Sequence, residues 1–148
     1  MADEESNVEQ RVRASFYRQG LMKTLGARLG HVAPGQVEIF LIPGPDVSQQ
    51  HGFVHAGAVS AIADSAAGYA ALSLMPINRG VLTTEFKINL LAPAIGERIV
   101  ARGKVVKAGR TLTLAQADVF AENEGKERLI AFLTATMMAM EDREGIAD

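Results

Sequence analysis

The segment from His55 to Met75 constrains the fold more than any other part of the chain. It is rich in alanine, contains one charged residue, Asp64, and is followed directly by Pro76. Alanine has the highest helix propensity of the natural residues, and helices commonly end shortly before a proline. The segment therefore predicts one long helix over about residues 55–75. Because that helix is apolar on almost every side, we expect it to be buried.

Only strand-like runs follow this helix. Four segments dominated by valine, isoleucine, threonine and phenylalanine are separated by short turns, namely Val81–Leu91, Arg98–Lys107, Thr111–Ala121 and Glu127–Met140. This spacing is typical of sequential antiparallel strands, so we expect a four-stranded meander. Two earlier strands are predicted between Gly30 and Ile42, around the turn signal Pro34-Gly35. One long helix wrapped by a curved antiparallel sheet is an α+β fold.

The N-terminal region is predicted to form a short helix over about residues 6–19. Ser6 and Glu9 fit a capping box that would start this helix, and residues 1–5 would then fray. The apolar face of the helix is expected to contain residues spaced four apart, Val8, Val12 and Phe16.

Length and charge limit the classes of function. The 148 residues predict a single domain, residues 1–148. A net charge of −2 argues against a dedicated nucleic-acid-binding protein, which normally carries a basic stripe. The absence of cysteine excludes disulfides and thiol nucleophiles. Because the polar N-terminus has no apolar signal core and the apolar run Leu129–Met140 is too short to span a bilayer, we expect a cytoplasmic protein without membrane contact.

Asp64 is the first candidate for a catalytic group. Isolated carboxylates among apolar neighbours are costly and are rarely buried without a partner. For helical aspartates in general, a solvent-facing position with a local hydrogen bond is the commoner outcome. Here small residues lie three and four positions away on both sides and leave room for a substrate or a second backbone; they are Ser60, Ala61, Ala67 and Gly68.

The start of the predicted helix is the second candidate feature. Unpaired backbone N–H groups in a first helical turn carry partial positive charge and can form an oxyanion hole. Gly57 lets another group approach this backbone closely. The nearby His51 and His55 have the alternative of simply capping or packing. Two histidines four apart with one acid nine residues further on do not form a convincing ligand set, so no metal and no cofactor are expected.

Taken together, these residues resemble the signature of hotdog-fold thioesterases of the phenylacetate-degradation (PaaI) type. That family has His-Gly-Gly and then an aspartate seven residues after the second glycine. This chain has His55-Ala56-Gly57 with Asp64 seven residues after Gly57, within the run QQHGFVHAGAVSAIADSAAGYAA. The run VLTTEFKINLLAPAIGERIVARGKVVKAGRTL is similar to the central strands of the family, and the resemblance covers about residues 45–140. It implies a hotdog fold and hydrolysis of an acyl-coenzyme A thioester.

The resemblance also implies a role for each matching residue at the helix. Asp64 would activate water or attack the acyl carbon itself. The backbone N–H groups of Ala56 and Gly57 would polarise the thioester carbonyl. Ala56 departs from the first glycine of the family pattern, but a backbone donor survives this change at negative φ.

Further implied site residues lie outside the helix. Gln49 falls where relatives often carry an asparagine that holds the attacking water or the active-site loop, and Gln50 is the alternative. Thr83 falls where related enzymes carry a serine that positions water, and Thr84 is adjacent. His51, His55 and Thr84 are expected to contact substrate.

Coenzyme A phosphates require cations, and basic residues cluster at one predicted turn. Lys107 and Arg110 flank Gly109, with Lys104 nearby. We expect Arg110 to contact a phosphate; a solvated strand end is the alternative reading of this cluster. The candidate apolar walls for the acyl group, each of which could equally belong to the core, are Phe53, Tyr69, Met75 and Phe86.

The resemblance implies that the partner of this chain is another copy of itself. In such proteins two chains pair edge to edge into one continuous sheet, and the active sites lie at the dimer interface. Asp64 and the oxyanion donors would then come from different chains, and dimers would pair again into tetramers. Two other functions remain open. A hotdog enoyl-CoA hydratase or dehydratase would pair His51 or His55 with Asp64, and a binding module would hold acyl-CoA without catalysis.

Overall fold

The computed structural model describes residues 2–141 and residue 148 of the chain. Within this part, the helices are α1 (Ala2–Phe16), α2 (Gly20–Leu25) and α3 (Ala56–Leu72), with a 3₁₀ turn at Pro45–Val47. The strands are β1 (Arg28–Ala33), β2 (Gln36–Leu41), β3 (Arg79–Leu90), β4 (Arg98–Lys107), β5 (Leu112–Asn123) and β6 (Lys126–Glu141). One long helix against a curved antiparallel sheet confirms the predicted α+β class.

The strands form one sheet in the order β1-β2-β4-β5-β6-β3. The two predicted early strands are present as β1 and β2, which pair with each other, and β4, β5 and β6 form a meander. The predicted four-stranded meander is wrong at β3, which pairs with β6 instead of β4. The reason is the connection over residues 91–97, which contains Pro93 and does not close a hairpin. Its backbone is held by Ile130 and Val54 instead: Leu91 N donates to the Ile130 oxygen at 2.8 Å, and Val54 N donates to the Ala94 oxygen at 2.9 Å.

Helix α3 lies across the sheet and contacts β2, β3, β4, β5 and β6. Its burial confirms the expectation from its apolar sequence. The helix ends at Leu72, three residues before the predicted end, because Met75 precedes Pro76 and such a residue disfavours the helical conformation. The last turn tightens into bonds from Leu74 N to the Ala71 oxygen and from Met75 N to the Leu72 oxygen.

Arg11 fixes the turn between α3 and β3. Its guanidinium donates to backbone carbonyl oxygens at the end of α3 and in the turn that follows. These bonds, of 2.8–3.2 Å, reach Leu72, Met75, Pro76 and Arg79. Since this turn joins α3 to β3, Arg11 helps to set how the helix lies against that strand.

The N-terminal helix differs from its predicted bounds. Helix α1 begins at Ala2, so Ser6 lies inside it, and the Ser6 Oγ accepts a 3.5 Å hydrogen bond from Gln10 Nε2. The predicted capping box is therefore wrong. Three acidic residues in the first turn favour the earlier start because they complement the positive end of the helix dipole; they are Asp3, Glu4 and Glu5. The chain leaves α1 at Phe16, and Gly20 begins the separate helix α2.

No helix in the described part of the chain combines the length and apolarity that a membrane crossing requires.

Gly103 sets the distance between α3 and the sheet. A Cβ at this position would lie 2.1 Å from the backbone oxygen of Ala66 and 2.7 Å from the backbone nitrogen of Ala67. Backbone atoms in the middle of a buried helix cannot move aside without shifting the helix. Only glycine at position 103 therefore permits this approach of α3 to β4.

We expect Gly103→Ala to lower the free energy of unfolding by about 1–3 kcal/mol, because the added methyl group overpacks this contact. Urea unfolding would measure the loss. The matched control is Gly20→Ala, since no atom lies within 4 Å of a Cβ built at Gly20; we expect it to change stability by less than about 0.5 kcal/mol. Equal stability of Gly103→Ala and the unsubstituted protein would contradict the packing argument.

Candidate active site

Asp64 lies half-buried on α3 and faces the edge strand β3. Its Oδ1 accepts a 2.8 Å hydrogen bond from the Oγ1 of Thr83. The same hydroxyl oxygen lies 3.3 Å from the Sδ of Met137 on β6. Among the described residues, the Oδ2 of Asp64 has no hydrogen-bond partner. The structure thus holds one carboxylate oxygen and leaves the other open to accept a proton.

Burial raises the pKa of the Asp64 carboxyl above its ordinary value, because a half-buried charge loses hydration. The hydrogen bond from Thr83 opposes this shift, since it favours the ionised form. A carboxylate with a raised pKa is a stronger base than an ordinary aspartate once it is ionised. This environment makes Asp64 a candidate general base.

The start of α3 offers fewer free donors than the sequence suggests. His55 is the N-cap, and its Nδ1 accepts the backbone N–H of Gly57 at 2.7 Å. The N–H of Gly57 is therefore engaged, which differs from its expected role as an oxyanion donor. The physical reason is N-capping, in which a side-chain acceptor of the N-cap residue pairs with a backbone N–H that the first helical turn leaves free. By contrast, the N–H of Ala56 has no partner within residues 2–141 and 148, and Ala56 is exposed.

Gln49 holds the loop that precedes α3. Its Oε1 accepts the backbone N–H groups of His51 at 2.5 Å and Phe53 at 3.3 Å, while its own N–H donates to the Phe53 oxygen at 2.8 Å. The tight turn passes through Gly52, whose φ of 86° suits glycine. This geometry fits a loop-holding role for Gln49.

A cleft of about 560 Å³ opens beside this loop. Its polar side contains four of the predicted site residues, Gln49, Gln50, His55 and Ala56. Its remaining wall is mainly apolar and comes from Phe53, Val54, Val59, Leu90, Leu91, Ala92, Pro93, Ala94 and Ile130. Of the expected acyl-pocket residues, only Phe53 lies here. The contribution of residues 90–94 was missed, because it depends on the path that the chain takes after β3.

The other expected apolar walls lie elsewhere. The Tyr69 side chain is buried in the core, and its hydroxyl bonds with Ser15 and Gln19. Met75 lies in the turn held by Arg11. Phe86 lies on β3 and is 46% exposed.

The remaining predicted residues lie apart from the cleft. Thr84 sits at a bulge in β3, where its Oγ1 donates to the Thr136 oxygen at 3.0 Å. Lys107, Gly109 and Arg110 lie exposed around the β4–β5 turn. That turn is at the Asp64 end of the sheet, since Thr113 and Thr83 both pair with Met137. Within the described ranges, no group of three His, Asp or Glu residues could hold a metal ion.

Asp64 and the helix start lie on one face of α3 but not at one point. Gly57 and Asp64 are seven residues apart, which is nearly two full turns and roughly 10 Å along the helix axis. A single thioester carbonyl cannot contact both positions. One chain thus contains two halves of a candidate site: Asp64 with Thr83, and the cleft with the Ala56 N–H.

Comparisons with known proteins identify the family of this chain. A sequence model of the thioesterase superfamily matches residues 51–127. The crystal structure of a thioesterase family protein of Silicibacter pomeroyi superposes with a TM-score of 0.88 over 90% of this chain and 98% of that one, and the two sequences are 54% identical. The PaaI protein of the Escherichia coli phenylacetic acid degradation operon shares the fold, with a TM-score of 0.82 at 16% identity over 93% of this chain and 96% of that one. A protein of Halobacterium salinarum named as an esterase is 29% identical over 106 residues, 68% of this chain and 69% of that protein. The chain therefore belongs to the thioesterase superfamily and has the hotdog fold seen in PaaI proteins.

Proposed function

We propose that this protein hydrolyses acyl-coenzyme A thioesters at a site shared between two chains. Asp64 of one chain would act on a carbonyl held at the α3 start of the other. The observation that carries this proposal is the separation of the two half-sites. The half-buried Asp64 and the free N–H of Ala56 lie on one helix face, eight residues and roughly 12 Å apart. Two chains related by a twofold axis would bring each half to its complement.

The chemistry follows from the groups in each half. The thioester oxygen would accept the Ala56 N–H at the positive end of α3, which stabilises the developing oxyanion. The free Oδ2 of Asp64 would take a proton from a water molecule while the oxygen of that water attacks the carbonyl carbon. The carbon–sulfur bond then breaks, and the thiolate takes up that proton from Asp64, which returns Asp64 to its ionised form; the products are a free acid and coenzyme A. Direct attack by the Asp64 carboxylate, with water cleaving the resulting anhydride, gives the same products.

The apolar wall of the cleft suits an apolar acyl group, which is the part of the substrate that carries the thioester carbonyl. Its wall is largely aliphatic, and its volume of about 560 Å³ is in the range of small-molecule sites. We propose an aryl or medium-chain acyl group in this space. Lys107 and Arg110, exposed at the Asp64 end of the sheet, remain the proposed phosphate contacts. The proposed location is the cytoplasm, and the proposed assembly is a dimer of dimers.

The geometry disfavours a hydratase within one chain. Such chemistry pairs a histidine with an acid, but His55 lies nine residues from Asp64, roughly 13 Å along the helix. The Nδ1 of His55 also accepts the Gly57 N–H. Hydration of an enoyl-CoA without thiol release would favour the hydratase reading. Tight acyl-CoA binding with no turnover across chain lengths would favour a binding module.

We expect Asp64→Asn to lower kcat/KM at least about 100-fold across a panel of acyl-CoA substrates, because the amide cannot accept the proton of water. Free thiol release would measure this loss. Asp118→Asn is the matched control, since Asp118 is another half-buried aspartate but lies on β5, on the opposite face of the sheet. Undiminished turnover by Asp64→Asn would overturn the catalytic assignment.

Thr83 is expected to set the pH dependence of the reaction. Activity requires ionised Asp64, so kcat/KM should rise with pH through the raised pKa of Asp64. Thr83→Val removes a hydrogen bond that lowers this pKa, so the acidic limb should move to higher pH, with activity partly recovered in alkaline buffer. Thr83→Ser keeps the hydroxyl and should leave the limb in place. The same acidic limb in Thr83→Val would contradict the role of the Thr83 bond.

A further inference from the structure

Thr83 holds Asp64 through a hydroxyl group that has two acceptors within reach. Its Oγ1 lies 2.8 Å from the Oδ1 of Asp64 and 3.3 Å from the Sδ of Met137. A threonine hydroxyl carries one hydrogen, which rotates about the bond to Cβ toward the stronger acceptor. Only one of the two hydrogen bonds is therefore fully formed at any moment, and Asp64 and Met137 compete for the same donor.

The pairing of β3 with β6 fixes the place of the sulfur. Thr83 and Met137 are directly opposite residues of this antiparallel pair, so both side chains point toward α3. The register shifts between Thr83 and Glu85, and bulges of this kind redirect side chains beside functional sites. The Met137 side chain is fully buried, and its Sδ would lie 3.8 Å from a Cβ built at Gly68, about one turn beyond Asp64. The sulfur is thus enclosed between the strand and the helix that carry the other two groups.

The charge of Asp64 decides which acceptor the hydroxyl prefers. An ionised carboxylate is a strong acceptor, whereas a thioether sulfur is a weak one. While Asp64 is ionised, the hydroxyl of Thr83 therefore donates to its Oδ1. Once the Oδ2 has taken a proton from water, the Oδ1 belongs to a neutral acid, and its advantage over the sulfur is much smaller. Met137 then offers the hydroxyl a second partner without the movement of any heavier atom.

Charged side chains on the neighbouring elements point away from Asp64 or are already paired. Glu85 and Lys87 of β3 pair with threonines of β6 on the face of the sheet opposite α3. Arg79, at the start of β3, forms a 3.5 Å ion pair with Glu141. The buried residues of β2, β4, β5 and β6, all within the described ranges, are uncharged. The basic side chains at the β4–β5 turn are exposed to solvent; they are Lys107 and Arg110. The hydroxyl of Thr83 is therefore the main polar influence of this chain on Asp64, in agreement with the causes of its shifted pKa.

We propose that Met137 is a positioning residue whose thioether sulfur receives the Thr83 hydroxyl when Asp64 becomes protonated. The contact makes protonated Asp64 less costly, because the hydroxyl is not left with only an acceptor that has lost its charge. Met137 therefore opposes the effect of Thr83, which favours the ionised form. The inference rests on the proposed function, since it concerns the step in which Asp64 takes a proton from water. Met137 acts through Thr83 and does not touch the substrate.

Replacement of the sulfur tests this role through the pH profile of the purified full chain. Met137→Leu keeps a similar volume in the core and removes the second acceptor. The hydroxyl of Thr83 then has Asp64 alone, so the pKa of Asp64 should fall and the acidic limb of kcat/KM should move to lower pH. Below this limb, kcat/KM should be roughly two- to threefold higher than in the unsubstituted protein, as expected for the loss of one weak hydrogen bond. A packing defect alone would lower activity and would not raise it.

Two comparisons separate the hydrogen bond from packing. Met138→Leu is the matched control, because Met138 is the next residue of β6, pairs with Leu82 and points to the opposite face of the sheet. It should leave the acidic limb in place. In a Thr83→Val background the hydroxyl is absent, so the addition of Met137→Leu should not move the limb further. A limb that stays in place in Met137→Leu, or that moves equally in both backgrounds, would overturn the proposal.

A second variant and a second readout make the test independent of one substitution and of turnover. Norleucine in place of all six methionines exchanges each sulfur for a methylene group of similar shape, and it should move the limb in the same direction. The titration of the Asp64 carboxyl carbon, followed by NMR with isotope-labelled aspartate, should report the same change without substrate. That change in a protein that releases no thiol from acyl-CoA would leave the role of Met137 standing and defeat the proposed function. Thiol release with an unchanged Asp64 titration in Met137→Leu would do the reverse.

Discussion

The rigidity of α3 is the constraint on which the rest of the site depends. A helix of 17 residues holds Ala56, with its free N–H, and Asp64 at a fixed separation of roughly 12 Å. No local adjustment can bring the carboxylate to the helix start, because the helix is packed against five strands and meets β4 at Gly103 without space for a methyl group. A reaction that uses both groups on one carbonyl therefore calls for two helices, and hence for two chains.

The topology of the sheet complements this constraint. In a simple meander, β3 would lie beside β4 and have neighbours on both sides. The connection over residues 91–97 instead carries the chain from β3 past β6 and β5 to β4. Strand β3 therefore lies at the edge of the sheet and pairs only with β6. The same crossing brings Leu91 and Ala94 to the loop before α3, where they line the cleft. One connection thus creates both the free edge and part of the candidate binding site.

Much of the fold could be predicted from the sequence, and what could not has identifiable causes. The buried helix follows from its alanine content, and the strands follow from β-branched runs between turns, so the predicted helix and strands agree with those of the structure. The position of β3 could not be predicted, because strand order depends on long-range hydrogen bonds such as that from Leu91 N to the Ile130 oxygen. Asp64 stood out as an isolated acid, but its bond with Thr83 joins residues 19 apart and was not predicted; the family resemblance implied only that Thr83 positions water. Capping by His55 was one of the alternatives that the sequence left open, but its engagement of the Gly57 N–H could not be predicted, since N-capping depends on side-chain rotamers that sequence spacing does not specify.

The most direct test of the shared site is complementation between two inactive variants. Ala56→Pro removes the N–H of the first helical residue, a position that suits proline, and the φ of −60° and ψ of 139° at His55 suit a residue before proline. It should lower activity about 100-fold or more while keeping the fold. When Ala56→Pro and Asp64→Asn chains are mixed, dissociated and reassociated, half of the dimers should contain one intact site, which restores roughly one quarter of the unsubstituted activity. A mixture no more active than its separate components would contradict a site built from two chains.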